Sequence, residues 1–138
     1  MKVVRKDDAP RPDSQGRDHF TRPVGMAKLL GVDEPAPVRV YSVAFEPGAR
    51  TFWHAHPGGQ ILYVVKGKGR VQTWEDQARN KKAEIIGPGD VVHIPPGVKH
   101  WHGADPASPM EHIAFSMGGD TDWMEEVSEE DYAKASSP

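Results

Sequence analysis

Between Val38 and Ile113 the chain is cut by glycine and proline into short β-rich runs, and this punctuation narrows the folds open to it. The runs are Val38–Phe45, Ile61–Lys66, Val71–Trp74, Ala83–Ile86, Val91–Ile94 and Met110–Met117. Between them lie Glu46-Pro47-Gly48, Lys66-Gly67-Lys68-Gly69, Gly87-Pro88-Gly89-Asp90 and Pro95-Pro96-Gly97. Each break supplies a proline with φ fixed or a glycine free to take positive φ, so each reads as a turn. Repeated short strands of this kind predict an all-β sandwich or barrel. After Gly118-Gly119 the pattern changes. Ser128 precedes Asp131 by three residues, as in a weak capping box, and Trp123, Val127 and Tyr132 fall on one apolar stripe, predicting a short C-terminal helix. Residues 1–22 are polar and turn-rich and predict an N-terminal arm, leaving residues 23–138 as one barrel domain that ends in the helix.

Composition excludes several classes. The 138 residues include no cysteine, so disulfide scaffolds, zinc ribbons and thiol nucleophiles are ruled out, and a reduced, cytoplasmic setting is expected. Net charge is −3 with the basic residues scattered, which is no nucleic-acid footprint. The acidic group Glu125, Glu126, Glu129, Glu130 and Asp131 reads as a solvated helix face. No apolar run approaches the roughly 18 residues that suggest a membrane span, so no membrane partner is expected.

Histidine is where the sequence carries chemistry. Six of the seven histidines lie between residues 54 and 112. His54 and His56 alternate around one small residue, and side chains two apart on a strand share a face. His100-Trp101-His102 repeats the arrangement after the Pro95-Pro96-Gly97 turn, bringing further imidazoles from a distant strand. A barrel interior is where such strands converge. Inward imidazoles without partners would cost about 1–3 kcal/mol each, a cost that one shared cation removes. His112 shares its strand parity with Ala114 and Ser116, so all three are expected on the cavity face if one of them is. An imidazole with its ordinary pKa of about 6.5 suits general acid–base work near neutrality. His102 shares parity with His100 and is expected as a proton-relay neighbour of the site. Trp53 and Trp101 alternate with the histidines and are expected to point away from them, into packing between sheets or at a subunit interface. His93 and His19 are expected to be structural or exposed.

These residues sit in two motifs that resemble the cupin family. Gly48, His54, His56, position 60 and Gly67 match the spacing of its first motif, with Gln60 in place of the usual glutamate. Gly89, Pro95, Gly97 and His100 match its second, with Ala104 in place of asparagine. The resemblance implies a double-stranded β-helix, the jelly-roll barrel, holding one divalent metal ion through His54, His56, Gln60 and His100. A neutral amide in place of a carboxylate leaves the site at full positive charge, which predicts looser binding and a stronger Lewis acid.

A narrower likeness is carried by Phe45-Glu46-Pro47-Gly48-Ala49-Arg50-Thr51, the His54 to Gln60 segment, Gly89-Asp90-Val91-Val92, Lys99-His100-Trp101-His102-Gly103-Ala104 and Asp122-Trp123-Met124-Glu125. It resembles the small bacterial manganese cupins that include hydroxynitrile lyases. It implies a metal-dependent lyase that cleaves or forms cyanohydrins, with His112 moving the proton and Tyr41, Val43, Ala114 and Ser116 lining the substrate pocket. Manganese is the metal implied, with iron, nickel, cobalt and zinc as alternatives, and a homodimer is the assembly implied. Tyr41 is larger than the residue of the resembled lyases, and Ser116 replaces a longer amide. A cupin dioxygenase and a non-catalytic module that binds a small molecule are the competing functions, separable by oxygen uptake and by binding without turnover.

Overall fold

A computed structural model describes residues 1–7, 13–15 and 17–135. Among them, two antiparallel sheets carry the architecture. The larger contains β1 (Asp13–Gln15), β2 (Val24–Val32), β3 (Val38–Phe45), β5 (Gln60–Gly67), β8 (Val91–Ile94) and β10 (Met110–Met117), in the order β1-β2-β3-β10-β5-β8. The smaller contains β4 (His54–Ala55), β6 (Gly69–Thr73), β7 (Glu84–Ile86), β9 (His100–Ala104) and β11 (Asp122–Trp123), in the order β11-β4-β9-β6-β7. Two short helices, α1 (Trp74–Ala78) and α2 (Glu129–Ala133), complete it. This is the all-β fold that the punctuation predicts, in the jelly-roll form that the cupin resemblance implies, with the short C-terminal helix expected after Ser128.

Alternation along β10 sets the inner face. Met110, His112, Ala114 and Ser116 are buried, while the residues between them are partly exposed. Residues directly opposite in antiparallel strands share a face. The register pairs His112 with Val43 on β3 and Val64 on β5, Ala114 with Tyr41 and Leu62, and Ser116 with Gln60. One face of the larger sheet therefore collects His112, Ala114, Ser116, Tyr41, Val43 and Gln60. In the smaller sheet His54 stands opposite His100, and His102 opposite Val71.

The main core gathers Val24, Val43, Phe45 and Val64 from the larger sheet with Val71, Ile86 and Ala104 from the smaller. Burying each large apolar side chain contributes about 1.5–3 kcal/mol, which closes one end of the barrel. A second cluster of Trp53, Ala83, Trp101, Val127 and Tyr132 covers the other face of the smaller sheet. Trp101 and Trp53 thus point away from the histidines as expected, but their cover is the chain's own C-terminal segment and neither packs between the sheets. Trp101 Nε1 donates to Gln72 Oε1 at 3.0 Å, and the Tyr132 hydroxyl donates to the Ala104 carbonyl at 2.6 Å. Arg50 lies over the Tyr132 ring, 4.2 Å from its centroid. Ser128 caps α2 by accepting from the Asp131 amide at 3.1 Å, as the sequence predicts.

Three expectations are corrected. Of the stripe expected on the terminal helix only Tyr132 lies in α2; Val127 precedes the helix, and Trp123 pairs with His54 across β11 and β4. Trp74 ends no strand, because Thr73 accepts from the Asp76 amide at 3.2 Å and starts α1. The strands begin before Val38: β2 pairs along the length of β3, with a bulge between Lys28 and Leu30 that breaks its alternation. The N-terminal arm is partly woven in as well, since β1 pairs with β2 and Phe20 bridges to Thr51.

Candidate functional site

Between the sheets lies a cavity of about 220 Å³. Its polar lining is His54, His56, Gln60, His102, His112 and Ser116. Its apolar lining, Phe20, Met26, Tyr41, Val43, Ala114 and Trp123, is interleaved with these, since His112 stands opposite Val43 and His54 opposite Trp123 in the ladders. His100 is fully buried beside His54 and Gln60. The structure thus brings every residue singled out for the site into one region. It adds Phe20, Met26, Thr51, Thr121 and Trp123, which sequence reasoning missed. Only the tryptophan and phenylalanine, isolated aromatics in polar stretches, left a signal there. His93 is exposed as expected, whereas the His19 ring stacks on Trp123 with centroids 4.7 Å apart.

Local chain geometry aims the histidines. His54 opens the two-residue β4 and His56 lies just past its end, yet both are buried, with ring centroids 5.0 Å apart. The two do not share one regular strand. Gly59 has φ of 87° and a side chain there would meet the Ile94 carbonyl at 2.7 Å, so only glycine lets β5 start with Gln60 facing inward. His54 Nδ1 donates to the Phe52 carbonyl and His100 Nδ1 to the Val98 carbonyl, each at 2.9 Å. That fixes both tautomers, leaving the Nε2 lone pairs free for the cavity side.

Gln60 makes the case for a cation. Its Nε2 donates to Ser116 Oγ at 3.1 Å, which turns Oε1 toward His100 Nε2 at 3.0 Å. With the His100 proton committed at Nδ1, two lone pairs face each other across that gap. Burial lowers the His100 pKa to about 4, so no second proton fills it at neutral pH. A divalent cation held by these residues would relieve that repulsion. His56 Nε2 is likewise buried without a partner, while its Nδ1 lies 3.3 Å from Thr121 Oγ1. The donor set of imidazole nitrogens and one amide oxygen fits a borderline transition ion.

The tightest three-nitrogen group is His54, His100 and His102, whose ligand atoms lie within 4.8 Å of one another. It differs from the expected ligand set by holding His102 where His56 was expected. His102 Nδ1 also lies 3.1 Å from His112 Nε2, whereas His102 Nε2 and His112 Nδ1 are buried without partners. The His112 ring packs 5.3 Å from that of Phe45. Burial lowers the pKa of all five histidines: to about 4 for His56, His100 and His112, and well below the ordinary value for His54 and His102. Neighbouring imidazoles add to the effect at His54 and His102. All five are therefore neutral at pH 7, the state that binds metal or accepts a proton.

Two antiparallel sheets enclosing a cluster of buried histidines define a class of small β-barrel proteins. Residues 41–115 match the Cupin domain family, and the chain belongs to that family. It is 47% identical over 120 residues to an (R)-mandelonitrile lyase from Granulicella tundricola, covering 85% of this chain and 88% of that protein. It is also similar to the crystal structure of a cupin-like protein from Thermotoga maritima: 46% identity, TM-score 0.79, 91% of this chain and 94% of the other. A polyketide cyclase from Streptomyces resistomycificus shares the fold alone, at 21% identity and TM-score 0.66 over 96% of this chain and 90% of the other. The three-histidine cluster within a cupin domain points to a metal site.

Proposed function

We propose that the chain is a metal-dependent lyase that cleaves or forms a cyanohydrin with an apolar, aromatic substituent. The observation that carries this reading is one small cavity whose lining sets neutral imidazoles beside the aromatic rings of Phe20, Tyr41 and Trp123. The likeness to a mandelonitrile lyase over most of both chains supports it. At about 220 Å³ the cavity is smaller than the roughly 300–1,000 Å³ of drug-sized sites, which favours a substrate of one ring and a short polar end.

His54, His56, Gln60 and His100 would hold the ion, and manganese is the ion proposed. Bound there, a divalent ion supplies Lewis-acid polarisation of a substrate oxygen. Nε2 of both His56 and His102 is buried without a partner, and His56 is preferred as the third nitrogen because it stands at the second histidine of the first cupin motif while His102 Nδ1 pairs with His112 for the proton. Phe20, Tyr41 and Trp123 would hold the ring, and the hydroxyl and nitrile end would meet the histidines beside them. In cleavage the hydroxyl loses its proton, the carbon–carbon bond to the nitrile breaks, and the departing cyanide takes up a proton. Aldehyde and hydrogen cyanide result. The His112–His102 pair receives the hydroxyl proton and returns one to cyanide, a general acid–base role for two neutral, buried imidazoles.

The experiment is to load the protein with manganese and measure benzaldehyde release from mandelonitrile, with a chelator-stripped sample alongside and dissolved oxygen recorded. Metal-dependent release without oxygen uptake supports the lyase. Oxygen uptake without cyanohydrin cleavage would turn the reading to a dioxygenase, and binding without turnover to a non-catalytic module.

A further inference from the structure

We propose that Ser116 is the positioning residue that supports Gln60 with its amide oxygen toward the candidate metal site, by accepting from the amide nitrogen that this orientation buries. The proposal rests on the reading of Gln60 as a ligand and concerns how a neutral amide is made to act as one. A carboxylate presents oxygen whichever way it turns. A glutamine turned by 180° about its last bond presents an NH₂ group, two donors with no lone pair for an ion. Something must therefore hold the amide with its oxygen inward.

The β-ladder leaves one candidate. Gln60 begins β5, flanked by Ser116 on β10 and by Ile94 on β8. Ile94 is buried and apolar and can neither accept nor donate through its side chain. Ser116 is buried directly opposite, and its Oγ accepts from Gln60 Nε2 at 3.1 Å. With the nitrogen engaged there, Oε1 points at His100 Nε2, 3.0 Å away. Backbone pairing fixes the separation of the two side chains, so the hydroxyl acts from a set place. Ser116 thus does more than line the pocket: when the one amide oxygen is turned to the site, its hydroxyl accepts from the NH₂ group that would otherwise be buried without a partner.

Manganese alone is the probe, titrated into metal-free wild type, Ser116→Ala, Ser116→Thr, Gln60→Ala and Gln60→Glu, and into Ser116→Ala combined with Gln60→Glu. Thermal unfolding of each variant checks that it is folded. Ser116→Ala is expected to weaken binding by about 10-fold or more, the scale of lost support behind a metal ligand. Ser116→Thr keeps the hydroxyl and is expected to stay within about 3-fold of wild type, as is the Ala change when made in the Gln60→Glu protein, where orientation no longer matters. No loss in Ser116→Ala, an equal loss with Gln60→Glu, or a loss in Ser116→Thr as large as in Ser116→Ala overturns the proposal. Gln60→Ala separates the two levels. Wild-type affinity there would show that Gln60 is no ligand, whereas weak binding there with wild-type affinity in Ser116→Ala would remove only the positioning role.

Discussion

His112 Nε2 lies 3.1 Å from His102 Nδ1, inside a cavity wall where neither residue is exposed by more than 4%. One hydrogen is shared between them, so their outer nitrogens are complementary: when one carries a proton the other carries a lone pair. This coupling lets the pair relay a proton: as one outer nitrogen takes one up the other gives one up, so the pair is neutral before and after.

Burial of these imidazoles makes stability depend on pH. In the folded, metal-free protein His56, His100 and His112 have pKa values lowered to about 4, chiefly by desolvation. Unfolded, each returns to about 6.5 and binds a proton that the folded form refuses. The stability that goes with the neutral form is fully present above about pH 6.5 and is lost as pH falls toward 4. In the presence of chelator, the urea midpoint is expected to be flat above pH 7.5 and to fall steadily from pH 6.5 to 4.5. A midpoint independent of pH across that window would contradict the burial argument.

Metal content of single variants tells His56 from His102 as the third nitrogen. His54→Ala and His100→Ala should each lose most of the ion, since removing one of four donors leaves too few to compete with water and buffer. His56→Ala should do the same and His102→Ala should retain metal near the wild-type level. The reverse pattern would assign the ion to the tighter group of His54, His100 and His102.

Tyr41 narrows the aromatic side of the cavity, opposite Ala114 across the β3–β10 ladder. Tyr41→Ala opens room for a substituted ring and is expected to raise turnover of bulky aromatic cyanohydrins over small aliphatic ones by about 10-fold, the scale of a pocket contact worth 1–3 kcal/mol. An unchanged ratio between bulky and small substrates would show that the ring does not border the substrate.

Much of this site is legible in the sequence because strand alternation and turn chemistry are local. His112, Ala114 and Ser116 share a face by parity alone, and β10 obeys it over its full length. The first-motif glycines and the two histidine pairs fall where the turns require. Less legible is what depends on closure. In β2, Gly25, Gly31 and the bulge between Lys28 and Leu30 erase the period-two signal, so a strand that supplies Met26 to the cavity is not visible as one. Trp123, four residues before Val127, has helical spacing, yet pairing with His54 outweighs it. Phe20 reads as part of a polar arm until its bridge to Thr51 brings it over the cavity mouth. The choice between His56 and His102 likewise rests on side-chain directions past the end of a two-residue strand.

The central claim is that the ion and the proton are handled by different residues, and His112→Ala tests it most directly. The measurement is the rate of mandelonitrile cleavage per bound manganese, with metal content determined on the same sample. The account predicts metal at the wild-type level and a rate lower by about 10²–10⁴-fold, the usual loss for a general acid–base group. A His112→Ala protein that keeps its metal and cleaves mandelonitrile at the wild-type rate would contradict it.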